Sequence, residues 1–531
     1  MGCGNRCFGR RCKGTPAGLR ADSSKRERRW KVPGTSQCDR TAHLCSLRLP
    51  TCRHPSGILK WMPLITDDTE MVSREPLSPA APLLGTEAEQ RKAAKPPFNS
   101  WGRYPSYRAT VVPLAWQSDY PAVLEKYNGM PTGALVVGMG RSYGDSCLLK
   151  DGHLLVATGM NRLLAFDEQT GVLTAEAGLT LAEVLEFAVP RGWFLPVTPG
   201  TKYVTLGGAV ANDIHGKNHH LSGTFGSYVT QFELVRSDGT RLHCAPTDNP
   251  DWFAATIGGL GLTGVITWLQ LRLKPIVSRL IDYEGIQFHG VDEFLQLTEQ
   301  YKDVEYTVSW VDCTGTGRNF ARGIFMLGDH SKIPDKLAQS PDPKLVFPFD
   351  APGFALNSAT VSAFNTVFFH KQVKARVRAL QDYEPFFYPL DKVLHWNRMY
   401  GKSGLLQFQY AIPWQNAREG TIAILNEVAK SGLASFLAVL KAFGNKPSPG
   451  MMSFPQPGIT LALDFPIKPD RTFPLFDRLA SMTLEYGGKL YPAKDARMTA
   501  AQFQTAYPQW QQFARYKDPL LTSGFWERVT A

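Results

Sequence analysis

The reading turns on "PGTKYVTLGGAVANDIHGKNHH", Pro199 to His220. Gly200, Gly207 and Gly208 let backbone approach a ligand closely, because glycine has no Cβ. Thr205 followed by "LGGAVAN" predicts a helix start whose N–H groups suit a pyrophosphate. The stretch ends on three of the chain's eleven histidines, His215, His219 and His220. His215 and His219 stand i, i+4, which on a helix can share a metal ion. Gly216 interrupts that helix, and no metal-ligand spacing completes the set, so no metal is expected. The histidines then belong to a cofactor wall or supply a catalytic base.

Two more glycine loops flank this one. "GMGRSYGD", Gly138 to Asp145, follows the apolar run Ala134 to Val137. An ordinary βαβ dinucleotide fingerprint needs glycine at position 143, where Tyr143 stands. No P-loop sequence occurs either. The loop can still turn consecutive N–H groups toward an anion, although a plain structural turn reads the same way. The third loop is "TIGGLGLTGVI", Thr256 to Ile266. Three such loops in one span exceed what turn chemistry requires and point to a phosphate-bearing cofactor.

Around the loops, short strands and helices alternate. Thr180 and Glu183 form a capping box ahead of "LAEVLEFAVPRG". "QFELVRSDGTRLHC" predicts a hairpin turning at Asp238-Gly239. "GVITWLQLRLKP" predicts a strand with Val265, Thr267, Leu269, Leu271 and Leu273 on one face. From residue 278 aromatics become frequent, and 328–362, rich in Pro, Asp and Ser, predicts a mobile loop or lid. "REGTIAILNEVAKSGLAS" and "DRTFPLFDRLASMTLEYGG" predict helices, and "GITLALDFPI" a strand. The pattern is α+β: residues 1–95 an extension and linker, 96–277 a cofactor domain, 278–488 a substrate domain, and 489–531 a return to the first.

The net charge of +11 belongs to the tail. Residues 1–60 hold 14 Lys and Arg against 3 Asp and Glu, and the remaining 471 hold 44 of each. The body is neutral, so nucleic acid is not an expected partner. Six of the nine cysteines lie in the first 52 residues without a C-x-x-C pair. The tail does not read as a zinc site; it reads as a disordered extension or as an over-extended reading frame with Met62 or Met71 as the true start. No uncharged apolar run reaches about 18 residues, so no spanning helix is expected.

Together, "GMGRSYGD", "PGTKYVTLGGAVANDIHGKNHH" and "GGLGLTG" resemble the flavoproteins of the vanillyl-alcohol oxidase type. More narrowly the chain resembles the decaprenylphosphoryl-β-D-ribose 2′-oxidase family. The match continues through "PLDKVLHWNRMYG", "LLQFQYAIP", "SFLAVLKAFG", "LDFPIK" and "LYPAKDAR". The resemblance implies a two-subdomain PCMH-type FAD-binding domain and an α+β cap domain with a central antiparallel sheet. It implies an FAD wall of Gly138, Met139, Gly140, Arg141, Ser142, Tyr143, Gly144, Asp145, Gly200, Thr205, Leu206, Gly207, Gly208, Asn212, Asp213, Ile214, His215, Ile266 and Tyr491.

Relatives with a covalent flavin carry histidine where Arg141 stands, so the resemblance implies non-covalent FAD. Arg141 then pairs with phosphate or buttresses its loop. His215 and Lys494 are the expected catalytic pair: His215 as hydrogen-bonding partner and proton acceptor, Lys494 as a cation facing developing charge. Lys217 and Asn218 would support polar contacts, with His219 and His220 at one remove or on the surface. Trp310, Phe387, Gln407, Gln409, Lys441 and Asp464 would meet substrate, with Asp464 organising the pocket or capping a strand end. Family members often carry tyrosine where Phe387 stands and cysteine where Ala462 stands.

The implied substrate is a polyprenyl-phosphoryl ribose oxidised at its 2′-hydroxyl, on the way to an arabinose donor for the actinobacterial cell wall. A quinone would accept the electrons, and an NAD(P)H-dependent 2′-keto reductase would complete epimerisation. Peripheral attachment to the cell-envelope membrane, on its cytoplasmic or its periplasmic face, follows from such a substrate. The alternative is an aldonolactone or sugar-alcohol oxidase with the same cofactor.

Overall fold

The computed structural model describes residues 98–338 and 344–531. The reading of residues 1–95 lies outside these.

Among the described residues, three larger sheets stand beside two two-stranded pairs. Thr110–Pro113, His153–Val156 and Ala134–Val137 form a small parallel sheet with His153–Val156 central. A five-stranded antiparallel sheet runs Leu163–Asp167, Val172–Glu176, Val265–Arg272, Val229–Val235, Arg241–Cys244. In its central strand Val265, Thr267, Leu269 and Leu271 are buried, and Arg272 is exposed. Leu181–Ala188 packs on this sheet's core. Its capping box is present: the Glu183 amide donates to Thr180 Oγ1 at 3.2 Å, and the Thr180 amide to Glu183 Oε2 at 2.8 Å. Such a cap contributes about 1 kcal/mol.

The third sheet has eight antiparallel strands: Arg376–Asp382, Leu280–His289, Arg322–His330, Tyr306–Val311, Ala438–Phe443, Gly458–Pro466, Leu405–Pro413, Lys489–Leu490. Side chains alternate across a strand, so one sheet makes two surfaces. Phe408, Tyr410, Leu440, Leu461 and Leu463 face the core beneath helices Trp414–Ser431 and Pro469–Glu485. Gln407, Gln409, Val439, Lys441, Ala462 and Asp464 face the other way, into a cavity.

The chain after 489 returns to the parallel sheet. The Thr522 amide donates to Ala134 O at 2.9 Å, the Ala134 amide to Leu520 O at 2.9 Å, and the Gly524 amide to Leu148 O at 2.8 Å. The expected lid over 328–362 is not one loop. A strand runs to His330, Leu345–Val346 pairs in parallel with Val393–Leu394, and helix Ser358–Lys371 begins before its end. Apolar residues within the polar run supplied these pairings. Residues 339–343 of that segment lie outside the described ones.

Candidate active site

A cavity of about 990 Å³ lies between the glycine loops and the inner face of the eight-stranded sheet. Gly138 and Thr205 join two of its walls: a Cβ on Gly138 would stand 2.3 Å from Thr205 Oγ1. Gly200 is different, since a Cβ there would meet nothing within 4 Å. Bare backbone faces the cavity at that point.

The helix expected after Thr205 is present as Leu206–Ala211, with Thr205 Oγ1 accepting from the Gly208 amide at 3.1 Å. Its use as a pyrophosphate seat needs correction. The Leu206 amide donates to Leu179 O at 2.8 Å and the Gly207 amide to Ala177 O at 2.7 Å, so the first-turn donors are spent. Open donors lie in the first loop instead. Among the described residues, the amides of Met139, Gly140, Arg141 and Ser142 have no acceptor. Gly140 takes φ +61°, and such a turn gathers successive N–H groups into an anion nest. Arg141 buttresses this loop. Its Nε donates to Tyr203 O at 3.1 Å, and its guanidinium lies 4.2 Å over the Trp101 ring.

Four residues expected on the FAD wall do not line the cavity. Leu206 is buried in the core of the five-stranded sheet. Asp213 is turned away, accepting from the Gly226 amide at 2.9 Å and Ser453 Oγ at 2.5 Å. Gly144 packs so tightly on Asp495 that a Cβ would stand 1.8 Å from its carbonyl oxygen. Asp145 is held by Arg528, whose Nη2 and Nε donate to its two oxygens at 2.8 and 3.1 Å. The same Nη2 reaches Asp495 Oδ2 at 3.0 Å. Arg528 therefore ties the first glycine loop to the loop carrying Lys494. The other expected wall residues, from Gly138 to Tyr143 through Gly200, Thr205, Gly207, Gly208, Asn212, Ile214, His215, Ile266 and Tyr491, do line the cavity.

The six expected substrate residues and both catalytic candidates also meet there. Gln407 Nε2 donates to Asp464, which stands opposite it in mid-strand. Asp464 is thus a pocket organiser and not a strand-end cap. Gln409 Nε2 lies 3.2 Å from His215 Nε2 and 3.2 Å from Thr460 Oγ1. With the amide donating to both, His215 Nε2 accepts and Nδ1 carries the proton, buried and without a partner. Burial, reinforced by the charges of Lys441, His219 and Lys494, holds the imidazole well below its usual pKa, so it is neutral.

Lys494 Nζ lies 3.8 Å over the Tyr143 ring, and the Tyr143 amide donates to Ala493 O at 2.9 Å. Burial pushes Lys494 down to about 8 while the Asp464 carboxylate pulls it back up. Burial, with the charges of Lys217 and Lys494, pushes Lys441 down to about 7. Trp310 donates through Nε1 to Phe436 O at 3.0 Å and packs 4.7 Å from Phe368. Phe387 forms the back wall, packed on Tyr306 at 4.8 Å. His219 is not a surface residue: it is buried with its ring 4.3 Å from Phe443. His220 bonds through Nε2 to Val304 O at 2.8 Å.

Sequence reasoning gave little weight to Lys217 and missed Lys371, Trp396 and Phe368, which also line the cavity. Lys217 adjoins His215, and that adjacency was its signal. The other three come from segments with no loop motif. Among the described residues, five basic side chains (Arg141, Lys217, Lys371, Lys441 and Lys494) and two carboxylates, Asp391 and Asp464, line the cavity. Among the described residues no group of His, Cys, Asp and Glu is placed to hold a metal.

Residues 114–245 match the family model described as an FAD binding domain. The decaprenylphosphoryl-β-D-ribose oxidase of Mycolicibacterium smegmatis is 34% identical over 404 residues, 73% of this chain and 86% of that one. The chain belongs to the decaprenylphosphoryl-β-D-ribose oxidase family. An uncharacterised protein of Streptomyces coelicolor is 29% identical over 352 residues, 63% of this chain and 94% of its own. A putative D-arabinono-1,4-lactone oxidase of Neurospora crassa is 29% identical over only 118 residues, 22% of this chain and 21% of its own.

As a decaprenylphosphoryl-β-D-ribose oxidase family member, the chain is an FAD-dependent oxidoreductase acting on CH–OH groups. The residues present fit that cofactor. The amides of Met139 to Ser142 suit its diphosphate, the bare backbone at Gly200 admits a large ligand, and His215 Nδ1 is a buried donor awaiting an acceptor.

Proposed function

We propose that the protein oxidises the 2′-hydroxyl of a polyprenyl-phosphoryl-β-D-ribose to the 2′-keto form. The observation that carries this reading is the cavity's five cations against two carboxylates, set beside a sheet face bearing two amides. The open amides of Met139 to Ser142 would hold the phosphates of FAD. Lys217 remains for a substrate phosphate, with Lys441, Gln407 and Gln409 toward the sugar hydroxyls. A neutral aldonolactone would leave those lysines facing one another without a counter-ion.

Bound FAD supplies a two-electron acceptor for the hydride leaving the sugar carbon. The protein's task is to orient the sugar and to manage one proton and one developing charge. Gln407 is fixed by Asp464 and Gln409 by His215 and Thr460, so both amides are pre-positioned. His215, neutral and protonated at Nδ1, holds an acceptor without taking its proton. Lys441, near half deprotonated at neutral pH, receives the hydroxyl proton at Nζ. Lys494 keeps its charge and stabilises negative charge as it develops.

The Lys441 assignment has a sign. The amine must be neutral to accept a proton, so the rate of flavin reduction should fall as pH drops through about 7. Lys441→Met should abolish that acid limb. An unchanged limb in anaerobic stopped-flow traces would remove Lys441 from the role.

In this reading electrons leave to a membrane quinone, and an NAD(P)H-dependent reductase returns the 2′-keto sugar as the arabinose epimer for cell-wall arabinan. The enzyme sits peripherally on the cell-envelope membrane, because its substrate is a lipid. Among the described residues no helix is long and apolar enough to cross a membrane.

Two measurements test the proposal together. Acid precipitation of the purified protein should leave a yellow supernatant, since Arg141 cannot form a histidyl–flavin bond. A polyprenyl-phosphoryl ribose should bleach the flavin anaerobically, and an aldonolactone should not. Bleaching by the lactone alone would replace this substrate with the alternative one.

A further inference from the structure

Helix Ser358–Lys371 turns Val361, Asn365 and Phe369 inward. Phe364, Val367 and Lys371, at i, i+3 and i+7, make an outward stripe. Val367 is 70% exposed. The segments on either side continue the pattern: Phe354 is 80% and Val373 91% exposed. Scattered exposed apolar residues need no explanation, but a run of them on one short segment marks an interaction surface.

The charge of this segment is one-sided. From Ala351 to Gln381 there is no Asp or Glu, while Lys371, Lys374, Arg376 and Arg378 are present. Arg376 and Arg378 reach Glu284 at 3.0 and 3.3 Å, and Lys371 and Lys374 are exposed. The cavity meets the surface here. Phe364 and Lys371 line it and are exposed as well. Arg376–Asp382 is the sheet's edge strand, paired only with Leu280–His289.

We propose that the face from Phe354 to Lys374 docks on an anionic lipid bilayer, placing the cavity mouth against the membrane. Large apolar side chains enter the headgroup–acyl boundary, and cations meet the anionic headgroups, each contributing favourably. Carboxylates, which would be repelled, are absent from the segment. The inference rests on the polyprenyl reading, for it explains how the sugar enters while its lipid tail stays in the bilayer.

The test uses the full chain loaded with FAD and vesicles of phosphatidylcholine, with and without phosphatidylglycerol. The double variant Val367→Glu/Val373→Glu changes two exposed positions outside the cavity wall. Wild-type protein should float with the phosphatidylglycerol vesicles, and the variant's partition should fall at least about tenfold. The basic first 60 residues attract vesicles equally in both proteins, so the comparison isolates this face. Oxidation of a soluble short-chain prenyl-phosphoryl ribose should be equal in the two, while oxidation of a long-chain substrate in vesicles should fall with binding. Equal flotation of both proteins, or none by wild type, overturns the proposal. So does a light-scattering change from dimer to monomer in the variant with vesicle binding unaltered, which would make the face a contact between copies. If neither protein oxidises the short-chain sugar, the substrate reading fails, and flotation still judges the docking face separately.

Discussion

Replacing Lys494 by methionine is expected to slow flavin reduction by roughly 10²–10³-fold while FAD stays bound. Methionine keeps most of the stem and removes the charge. The ammonium lies 3.8 Å over the Tyr143 ring, in the loop whose open amides would hold the cofactor's diphosphate. In a buried site a fixed cation costs no reorganisation when negative charge develops, so its loss falls on the transition state. The pH profile should carry the same signature. Lys494 is charged below about 8, so the wild-type rate should decline as pH rises through that value. The decline should be missing in Lys494→Met. A reduction rate within threefold of wild type would remove Lys494 from the chemistry.

Arg528→Ala should destabilise the protein by about 3–5 kcal/mol, the cost of stranding buried carboxylates. Asp145 is 1% exposed and depends on two hydrogen bonds from this guanidinium. Burial, with the nearby charge of Asp495, raises the Asp145 pKa, and the hydrogen bonds and charge of Arg528 offset part of that rise. Because Arg528 also holds Asp495, next to Lys494, flavin affinity should weaken along with stability. Arg528→Lys should recover only part of the loss, since an ammonium cannot make the two-pronged contact. Denaturant melts and flavin-release titrations read the two effects. A melt unchanged by Arg528→Ala would show the clamp to be dispensable.

Much of the site was readable because its determinants are local. Glycine at 138, 200, 207 and 208 announces close backbone approach, and the alternation in "LLQFQY" puts Gln407 and Gln409 on one face wherever the strand lies. What escaped depends on distant partners. The helix-start amides looked open until Leu179 and Ala177 claimed them. Asp145 looked like flavin wall, yet its partner lies 383 residues away at the C-terminus. His219 looked peripheral because nothing near it in sequence foretells burial against Phe443. The composition of 328–362 suggested a lid, but two-residue strands are set by pairing and not by propensity.

Three lysines sharing one cavity also bear on the protein's supply in the cell. Lys217 and Lys494 repel Lys441 across a space that, among the described residues, holds two carboxylates. A substrate phosphate relieves that repulsion, and FAD, which the Met139 to Ser142 amides would hold, stabilises the folded chain by its own binding, about 2.7 kcal/mol at a hundred times its dissociation constant. The dinucleotide is therefore a folding partner as much as a reagent. Riboflavin starvation should lower the amount of this protein, through faster turnover of unloaded chains, before it lowers the activity of those already loaded.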